Sequence, residues 1–240
     1  MKAYKKKLKR HKDAVISIHS PKGIDGGFLI SGSADHTVRI WDLLKKKITN
    51  KIVVMRPSDD VLLKVSDDKL TNYAEDHILN SDKAIVKQKQ HRNVCCYCFH
   101  DDKIFTGYED GLICCWDMGE GELYAPLIGH TNRINYISAT DGEKIFSASN
   151  DCTVRAWNTK TGVCDSVFKF SDPISSVEIS LSNNMMYSVS WDKMVRVVDL
   201  DANKVTKSFV AAKEAIKALH VTNDYVFVAG CDPIIRGFNL

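Results

Sequence analysis

The twelve residues "SGSADHTVRIWD", from Ser31 to Asp42, decide the fold. They hold the serine, histidine and aspartate of a hydrolytic triad, so a catalytic site is the first hypothesis to weigh. The stretch recurs as "TGYEDGLICCWD" (106–117), "SASNDCTVRAWN" (147–158) and "SVSWDKMVRVVD" (188–199). Because an enzyme rarely needs four copies of one site, the repetition favours an architectural role.

The copies recur with a period near 40 residues. Two weaker copies extend the series, and the spacings between successive aspartates are 41, 34, 41, 41 and 40 residues. Short runs of Val, Ile, Phe and Tyr separated by turn residues predict four short antiparallel strands in each repeat. "AAKEAIKAL" (211–219) has helical spacing but occupies the slot of a first strand, so it too is expected to be a strand. The aligned aspartates of repeats 1 to 6 are Asp35, Asp76, Asp110, Asp151, Asp192 and Asp232.

Four-stranded units of this length, with "GH" before the first strand and "WD" after the third, resemble the WD40 repeats of β-propellers. The resemblance implies an all-β fold, namely a propeller with four antiparallel strands per blade in a single domain, 1–240, and the count of six repeats predicts a six-bladed ring. The expected blades are 11–55, 56–90, 91–129, 130–170, 171–211, and 212–240 completed by 2–9.

The last blade requires a fourth strand, because its repeat stops at Leu240 after the third. "YKKKLKRH" (4–11) aligns with "LYAPLIGH" (123–130), which places Leu8 on Leu127. Residues 2–9 are therefore expected to complete the sheet and close the ring, as such propellers commonly do to remove free edges. A fragment of a longer propeller is the alternative.

The resemblance also implies a hydrogen-bonded network in each blade, built from a His before the first strand, a Ser or Thr in the second, the turn Asp and a Trp in the third. Since a buried Asp needs donors for its oxygens, these residues are expected to be structural, and no catalytic residue is assigned. Repeat 5 keeps Ser188 and Asp192 but has Val198 in place of Trp. The complete sets are His11, Ser31, Asp35 and Trp41; His91, Thr106, Asp110 and Trp116; and His130, Ser147, Asp151 and Trp157.

Propellers of this family usually bind peptides or protein surfaces on the narrow top face, beside the turn aspartates and the starts of the first strands. In this chain those positions and the loops before them carry more acids than bases. We expect a preference for basic or mixed apolar segments of other proteins, with Trp191 as an apolar anchor. The expected contact residues are Trp191, Glu75, Glu109, Asn150, Arg92, Asn135, Lys217, Asp13, Asp59, Asp172 and Glu214.

Three function classes are open at this point. A non-catalytic interaction scaffold is the first, with a substrate-receptor or scaffold arm of a ubiquitin ligase or similar assembly as its alternative form. An enzyme using one of the Ser/His/Asp sets is the second. In the third, "KKKLKR" (5–10) and residues 45–47 form a basic rim that binds nucleic acid or an anionic surface. The alternative interpretation of these lysines is a solvated outer strand without a ligand.

Composition narrows the setting. No apolar run approaches the roughly 18 residues of a membrane span, and the basic start lacks the apolar segment of a secretory signal. An intracellular location, cytoplasmic or nuclear, is therefore expected. The net charge of +3 is mild and does not by itself indicate nucleic acid. The eight cysteines are expected to be reduced thiols, and no metal, cofactor or small-molecule substrate is expected.

Overall fold

The computed structural model describes residues 10–20, 28–43, 45, 47–53, 93–140, 143–180 and 182–239. Within these ranges the chain forms 19 β-strands and no helix, so none of the described segments is a helix that could cross a membrane. The described residues fall into two compact units, 10–53 and 93–239. Repeat 2, and the predicted closing strand at residues 2–9, lie outside the described residues.

The first unit is one antiparallel sheet, formed by repeat 1, in which each strand pairs with the next along the chain. Ala34, Asp35 and His36 connect its second and third strands in a tight turn. Its strands are β1 (Val15–His19), β2 (Phe28–Ser33), β3 (Thr37–Asp42) and β4 (Lys47–Val53).

The second unit contains four antiparallel sheets, one for each of repeats 3 to 6. Repeat 3 forms β5 (Val94–His100), β6 (Lys103–Tyr108), β7 (Ile113–Asp117) and β8 (Leu123–Leu127). Repeat 4 forms β9 (Ile134–Ala139), β10 (Lys144–Ser149), β11 (Thr153–Asn158) and β12 (Cys164–Lys169). Repeat 5 forms β13 (Ile174–Ser180), β14 (Met185–Ser190), β15 (Met194–Asp199) and β16 (Lys204–Val210). Repeat 6 forms β17 (Ile216–Val221), β18 (Tyr225–Gly230) and β19 (Arg236–Asn239).

The predicted all-β class is confirmed, and so are the four antiparallel strands in repeats 1, 3, 4 and 5. The segment with helical spacing contributes to β17, as expected from its slot in the repeat. The sheet of repeat 6 has three strands within the described residues. The number of blades and the closure of a ring stay predictions.

Apolar cores between consecutive sheets hold the second unit together. Phe105 and Ile113 of repeat 3 pack with Ile134 and Ile137 of repeat 4, and the interfaces from repeat 4 to 5 and from repeat 5 to 6 use the same strand positions. Each fully buried side chain of this kind contributes about 1.5–3 kcal/mol relative to an exposed one. Each sheet between two neighbours is therefore stabilised from both faces.

Candidate functional site

The turn aspartate of repeat 4 lies at the end of a chain of four hydrogen-bonded side chains. Trp157 Nε1 donates to Ser147 Oγ at 2.8 Å, and Ser147 Oγ lies 2.7 Å from His130 Nε2. His130 Nδ1 lies 2.7 Å from Asp151 Oδ2. The other carboxylate oxygen accepts from the backbone and side chain of Thr153, at 2.9 and 2.7 Å. The chain joins the loop before β9, the second and third strands and the turn between them.

Repeat 1 repeats this arrangement. Trp41 Nε1 donates to Ser31 Oγ at 2.8 Å, and Ser31 Oγ lies 2.7 Å from His11 Nε2. His11 Nδ1 lies 3.1 Å from Asp35 Oδ2, and Thr37 Oγ1 donates to Asp35 Oδ1 at 2.6 Å. The threonine two residues after the aspartate is thus a further member in repeats 1 and 4. It was not assigned from the sequence, although Thr37 and Thr153 occupy matching positions.

Burial sets the protonation of the pair in repeat 4. Removal from water lowers the pKa of His130 from its ordinary value of 6.5, although the hydrogen bond to Asp151 opposes this change. Burial would raise the pKa of Asp151, but the bonds from His130, Thr153 and the backbone of Thr131 outweigh it and hold that pKa well below 3.8. The arrangement is therefore a neutral imidazole that donates from Nδ1 to a carboxylate and accepts from Ser147 at Nε2.

The order serine, histidine, aspartate is that of a hydrolytic triad, but its surroundings differ from those of an active site. Ser147 is 0% exposed, and its oxygen is already bonded to Trp157 as well as to His130. The His130 side chain is also fully buried. A substrate would have to open the sheet to reach the hydroxyl.

Repeat 3 shows part of the network. Trp116 Nε1 donates to Thr106 Oγ1 at 2.8 Å, and Asp110 Oδ1 accepts from the backbone of Leu112 at 3.2 Å. Thr106 Oγ1 also donates to the buried Tyr108 hydroxyl at 3.2 Å. His91, predicted to complete the set, lies outside the described residues.

In repeat 5 the turn aspartate is bonded by different residues. Phe170 occupies the place of the histidine before the first strand, and Val198 that of the tryptophan, so Ser188 Oγ has no hydrogen-bond partner among the described residues. Arg196 instead pairs with Asp192 and stacks over the Phe170 ring at 5.3 Å. Burial would raise the pKa of Asp192, but the bonds from Arg196 and the backbone of Met194 lower it. An arginine therefore replaces the histidine as the partner of the aspartate.

The arginine lies four residues after the turn aspartate, and this position holds arginine in four repeats. Arg236 lies 2.7 Å from Asp232 in repeat 6, where the first-strand histidine is likewise missing. In repeat 1, where His11 is present, Arg39 stands 3.9 Å from Asp35. The four-residue spacing is visible in the sequence. Whether the arginine is the main partner of the aspartate depends on whether the repeat lacks the histidine before its first strand.

Backbone hydrogen bonds bring the predicted contact positions together at one end of each sheet. Within each sheet, the residue before the turn aspartate bonds to the loop before the first strand. We call this end the turn end. The bonds run from Ala34 N to Ala14 O (2.9 Å), Glu109 N to Asn93 O (3.1 Å), Asn150 N to Arg133 O (2.9 Å), Trp191 N to Pro173 O (3.3 Å) and Cys231 N to Ala215 O (3.0 Å).

Two side chains link the turn ends of neighbouring sheets in the second unit. Asn135 Nδ2 donates to Asn150 Oδ1 and to the carbonyl of Ile174, both at 2.7 Å. Ser175 Oγ lies 2.6 Å from the carbonyl of Ile216. Asn135 and Asn150, both expected to contact a partner, thus hydrogen-bond to each other.

The charges at the turn ends are more balanced than the sequence count suggested. Glu109 accepts from Arg133 Nη1 at 3.4 Å, an arginine that the count had not included. Lys193, in the turn after Asp192, is also exposed. Neither position was among those compared from the sequence.

The remaining predicted contacts fall into three groups. Trp191 is 50% exposed, and Lys217 and Glu214 are exposed, while Asp172 is partly buried. Asp13 belongs to the first unit, where its carboxylate accepts from the backbone of Ala14 at 2.7 Å. Three predicted residues, Glu75, Arg92 and Asp59, lie outside the described residues.

The cysteines of β5 are poor candidates for thiolate chemistry in this environment. Burial raises the pKa of Cys95 to about 11 and that of Cys98 to about 12. Among the described residues, no three His, Cys, Asp or Glu side chains gather in a group that could hold a metal ion.

Comparison with known proteins identifies the family. The profile "WD domain, G-beta repeat" matches residues 3–42, 83–117, 121–158 and 162–199, which together exceed half of the chain. The chain belongs to the WD40-repeat family. WD40 domains are generally non-catalytic scaffolds that bind other proteins.

The curated relatives are longer proteins. Apoptotic protease-activating factor 1 of Danio rerio is 26% identical over 211 residues, which are 83% of this chain and 17% of that protein. The Homo sapiens protein of the same name is 24% identical, with 83% and 16% covered. THO complex subunit 6 of Arabidopsis thaliana is 25% identical over 57% of this chain and 38% of its own length. The chain thus spans about one sixth of the length of the first two relatives.

Among solved structures, the crystal structure of the computationally designed Ika8 protein is similar, with a TM-score of 0.68. The two chains are 17% identical, and the match covers 96% of this chain and 59% of that one. This likeness concerns the fold alone.

Proposed function

We propose that the chain is a non-catalytic interaction module that binds a peptide or protein surface across the turn ends of repeats 3 to 6. The observation that carries the proposal is Trp191, a large aromatic side chain that is half exposed at a turn end. Aromatic side chains are enriched among the residues that dominate protein interfaces. Exposure of an aromatic side chain to water is unfavourable, and a partner that covers Trp191 would gain the free energy of burying it.

The expected ligand is a mixed apolar segment that carries basic residues. Asp172 and Glu214 supply acids in the loops at the turn ends of repeats 5 and 6, and Glu109 has Arg133 as a partner. The nearby cations Lys193 and Lys217 reduce the acidic surplus that favoured a purely basic ligand. The apolar contact with Trp191 is therefore assigned the larger share of affinity, and charge the larger share of specificity.

The absence of catalysis is part of the proposal. The buried Ser147, with its oxygen bonded on two sides, supports a structural role for the Ser/His/Asp set. Hydrolysis of generic esters that disappears with Ser147→Ala would contradict it.

A scaffold arm within a larger assembly is the second form of the same function. It is supported by the name of the relative THO complex subunit 6, which describes that protein as part of a complex. The ubiquitin-ligase version and the basic rim at residues 5–10 and 45–47 stay predictions from the sequence, as does the intracellular location.

A peptide library displayed against the folded chain tests the proposal. Trp191→Ala should reduce the binding free energy of the selected peptides by about 1–3 kcal/mol. Tyr225→Ala is the matched control, because Tyr225 is 46% exposed but begins β18 at the end opposite the turn end. Equal losses with both variants would contradict a site centred on Trp191. Phosphopeptide ligands that are insensitive to Asp172→Lys would contradict the expected charge.

A further inference from the structure

A cavity of about 220 Å³ lies between the sheets of repeats 4 and 5, toward the end opposite the turn ends. Its apolar lining includes Phe146 and Phe168 from repeat 4 and Ile179 and Leu200 from repeat 5. Asp201 lies at its rim. The site is therefore separate from Trp191 and from the side-chain networks around the turn aspartates.

The cavity follows from one small residue. Ala156 pairs with Phe146 across the sheet, and the same position holds Ile40 in repeat 1, Cys115 in repeat 3 and Val197 in repeat 5. In repeat 5 the larger Val197 is part of the core that joins the next sheet. Alanine leaves that volume empty against repeat 5, at a cost in stability that packed interiors normally avoid.

The volume of the cavity, which is partly open to solvent, suits a ligand of about one ring. An apolar cavity of about 150 Å³ in a protein core accepts benzene, whereas sites for drug-sized molecules occupy about 300–1,000 Å³. A volume of 220 Å³ lies between these values. One six-membered aromatic ring with a short substituent fits, with the ring against Phe146 and Phe168.

The rim determines the charge of the substituent. Lys144, which also lines the cavity, lies 3.4 Å from Asp165, so its charge is neutralised within the chain. Asp201 accepts from the neutral amide of Asn184 at 2.7 Å and has no cationic partner among the described residues. The uncompensated charge at the mouth is therefore negative and favours a cation.

We propose that this cavity is a binding site for a small aromatic amine, whose ring enters between the two sheets and whose ammonium group faces Asp201. The ligand gains apolar contacts inside the cavity and a charge-assisted hydrogen bond at its rim. Nothing in this proposal depends on the turn ends, so it stands or falls independently of the proposed peptide site.

The test uses 2-phenylethylamine, titrated into the full chain and followed by ligand-observed and protein-observed NMR. Saturable binding is expected, and 3-phenylpropionate, which carries the same ring with the opposite charge, should bind more weakly. Equal affinity for the two compounds, or no saturable binding of the amine, would overturn the proposal.

Two variants locate the site. Ala156→Val installs the residue that repeat 5 already has, so the chain should melt no lower than wild type while the affinity for the amine falls at least tenfold. Asp201→Asn should lower the affinity for the amine about two- to fivefold. It should also reduce the difference in affinity between the amine and 3-phenylpropionate. Asp224→Asn, at another exposed acid, is the control and should leave both affinities unchanged. Retention of wild-type affinity by Ala156→Val would place the ligand elsewhere.

Discussion

At the residue scale, the turn aspartate has two different kinds of side-chain partner in the same fold. Repeats 1 and 4 use a histidine from the loop before the first strand, whereas repeats 5 and 6 use an arginine from the third strand. The histidines of repeats 1 and 4 and Arg196 of repeat 5 hydrogen-bond to the carboxylate, as a buried acceptor requires. Arg236 of repeat 6 forms an ion pair with Asp232, whose oxygens have no hydrogen-bond partner among the described residues. The aspartate is thus the constant member and its cationic or imidazole partner the variable one.

This exchange predicts unequal losses of stability at one strand position. Arg196→Met should destabilise the protein by about 2 kcal/mol, because it leaves the partly buried Asp192 carboxylate without its partner. Arg155→Met is the matched variant in repeat 4 and should change stability by less than about 0.5 kcal/mol, because Asp151 is held by His130. Urea unfolding of both variants measures the difference. Equal losses would show that the arginine of repeat 5 is not the partner on which its aspartate depends.

The buried histidine of repeat 4 predicts a pH dependence of stability. The pKa of His130 is lower in the folded protein than in the unfolded chain, where it is about 6.5. As the pH falls, the unfolded state therefore binds more protons than the folded state. The stability that neutral His130 contributes is therefore present above about pH 6.5 and is lost progressively as the pH falls below that value. Urea unfolding at pH 7.5 and 5.5 should show this loss.

His130→Gln provides the control for that experiment. The variant should be less stable at both pH values, but the difference between them should shrink by about the contribution of one histidine. The Asp151 carboxylate stays ionised throughout this window, since its pKa lies far below it. An unchanged pH dependence in the variant would assign the effect to other histidines.

At the element scale, the turn between the second and third strands has a fixed backbone shape. The residue after the turn aspartate is left-handed in four repeats, with φ of 57° at His36, 90° at Gly111, 65° at Cys152 and 72° at Lys193. Glycine adopts this conformation without steric cost, whereas other L-residues pay about 1–2 kcal/mol. Only repeat 3 uses the residue that the conformation favours.

Exchanging these residues should therefore shift stability in opposite directions. Cys152→Gly should raise the free energy of unfolding by up to about 1 kcal/mol by relieving the left-handed strain. Gly111→Ala should lower it, because φ is positive and the added Cβ would lie 2.5 Å from the carbonyl oxygen of His130. Thermal unfolding of the two variants provides the measurement, and a loss of stability with Cys152→Gly would contradict the strain argument.

The elements that could be predicted are those fixed by local pattern and by period. β17 formed against the helical spacing of its sequence because its position in the repeat, between Ala212 and the turn of repeat 6, requires a first strand that packs on repeat 5. The roles of Arg196 and Arg133 were not predictable in the same way. Arg133 depends on Glu109 of the neighbouring sheet. Arg196 pairs with Asp192 where Phe170 replaces the histidine. A repeat alignment compares equivalent positions rather than neighbours in space.

At the scale of the whole molecule, the sixth repeat has a face that differs from those of its predecessors. Ile235 lies three residues after its turn aspartate and is 75% exposed, whereas Ile113, Val154 and Val195 at the same position are 0% exposed. In repeats 3 to 5 the following sheet covers this position. Closure of a ring would cover Ile235 in repeat 6 as well. The period of the sequence predicts the number of repeats, but it does not predict which segment packs against the last repeat.

Removal of residues 2–9 tests the predicted closure. If these residues form the fourth strand beside β19, the deletion should lower the melting temperature and speed amide exchange in 236–239, because the strand edge loses its partner. Exchange in β9–β12 should change little, which provides an internal control. Identical melting and exchange in the truncated and full chains would contradict the closing strand.

The side-by-side cores of the second unit have a mechanical consequence. Among the described residues, the apolar cores lie between consecutive sheets, and none of these cores spans repeats 3 to 6. Under tension applied between residues 93 and 239, such a chain should unravel one sheet at a time from the less supported end. Each step would release about 40 residues, or roughly 130 Å of extended polypeptide, and a force trace should record a series of similar peaks rather than one.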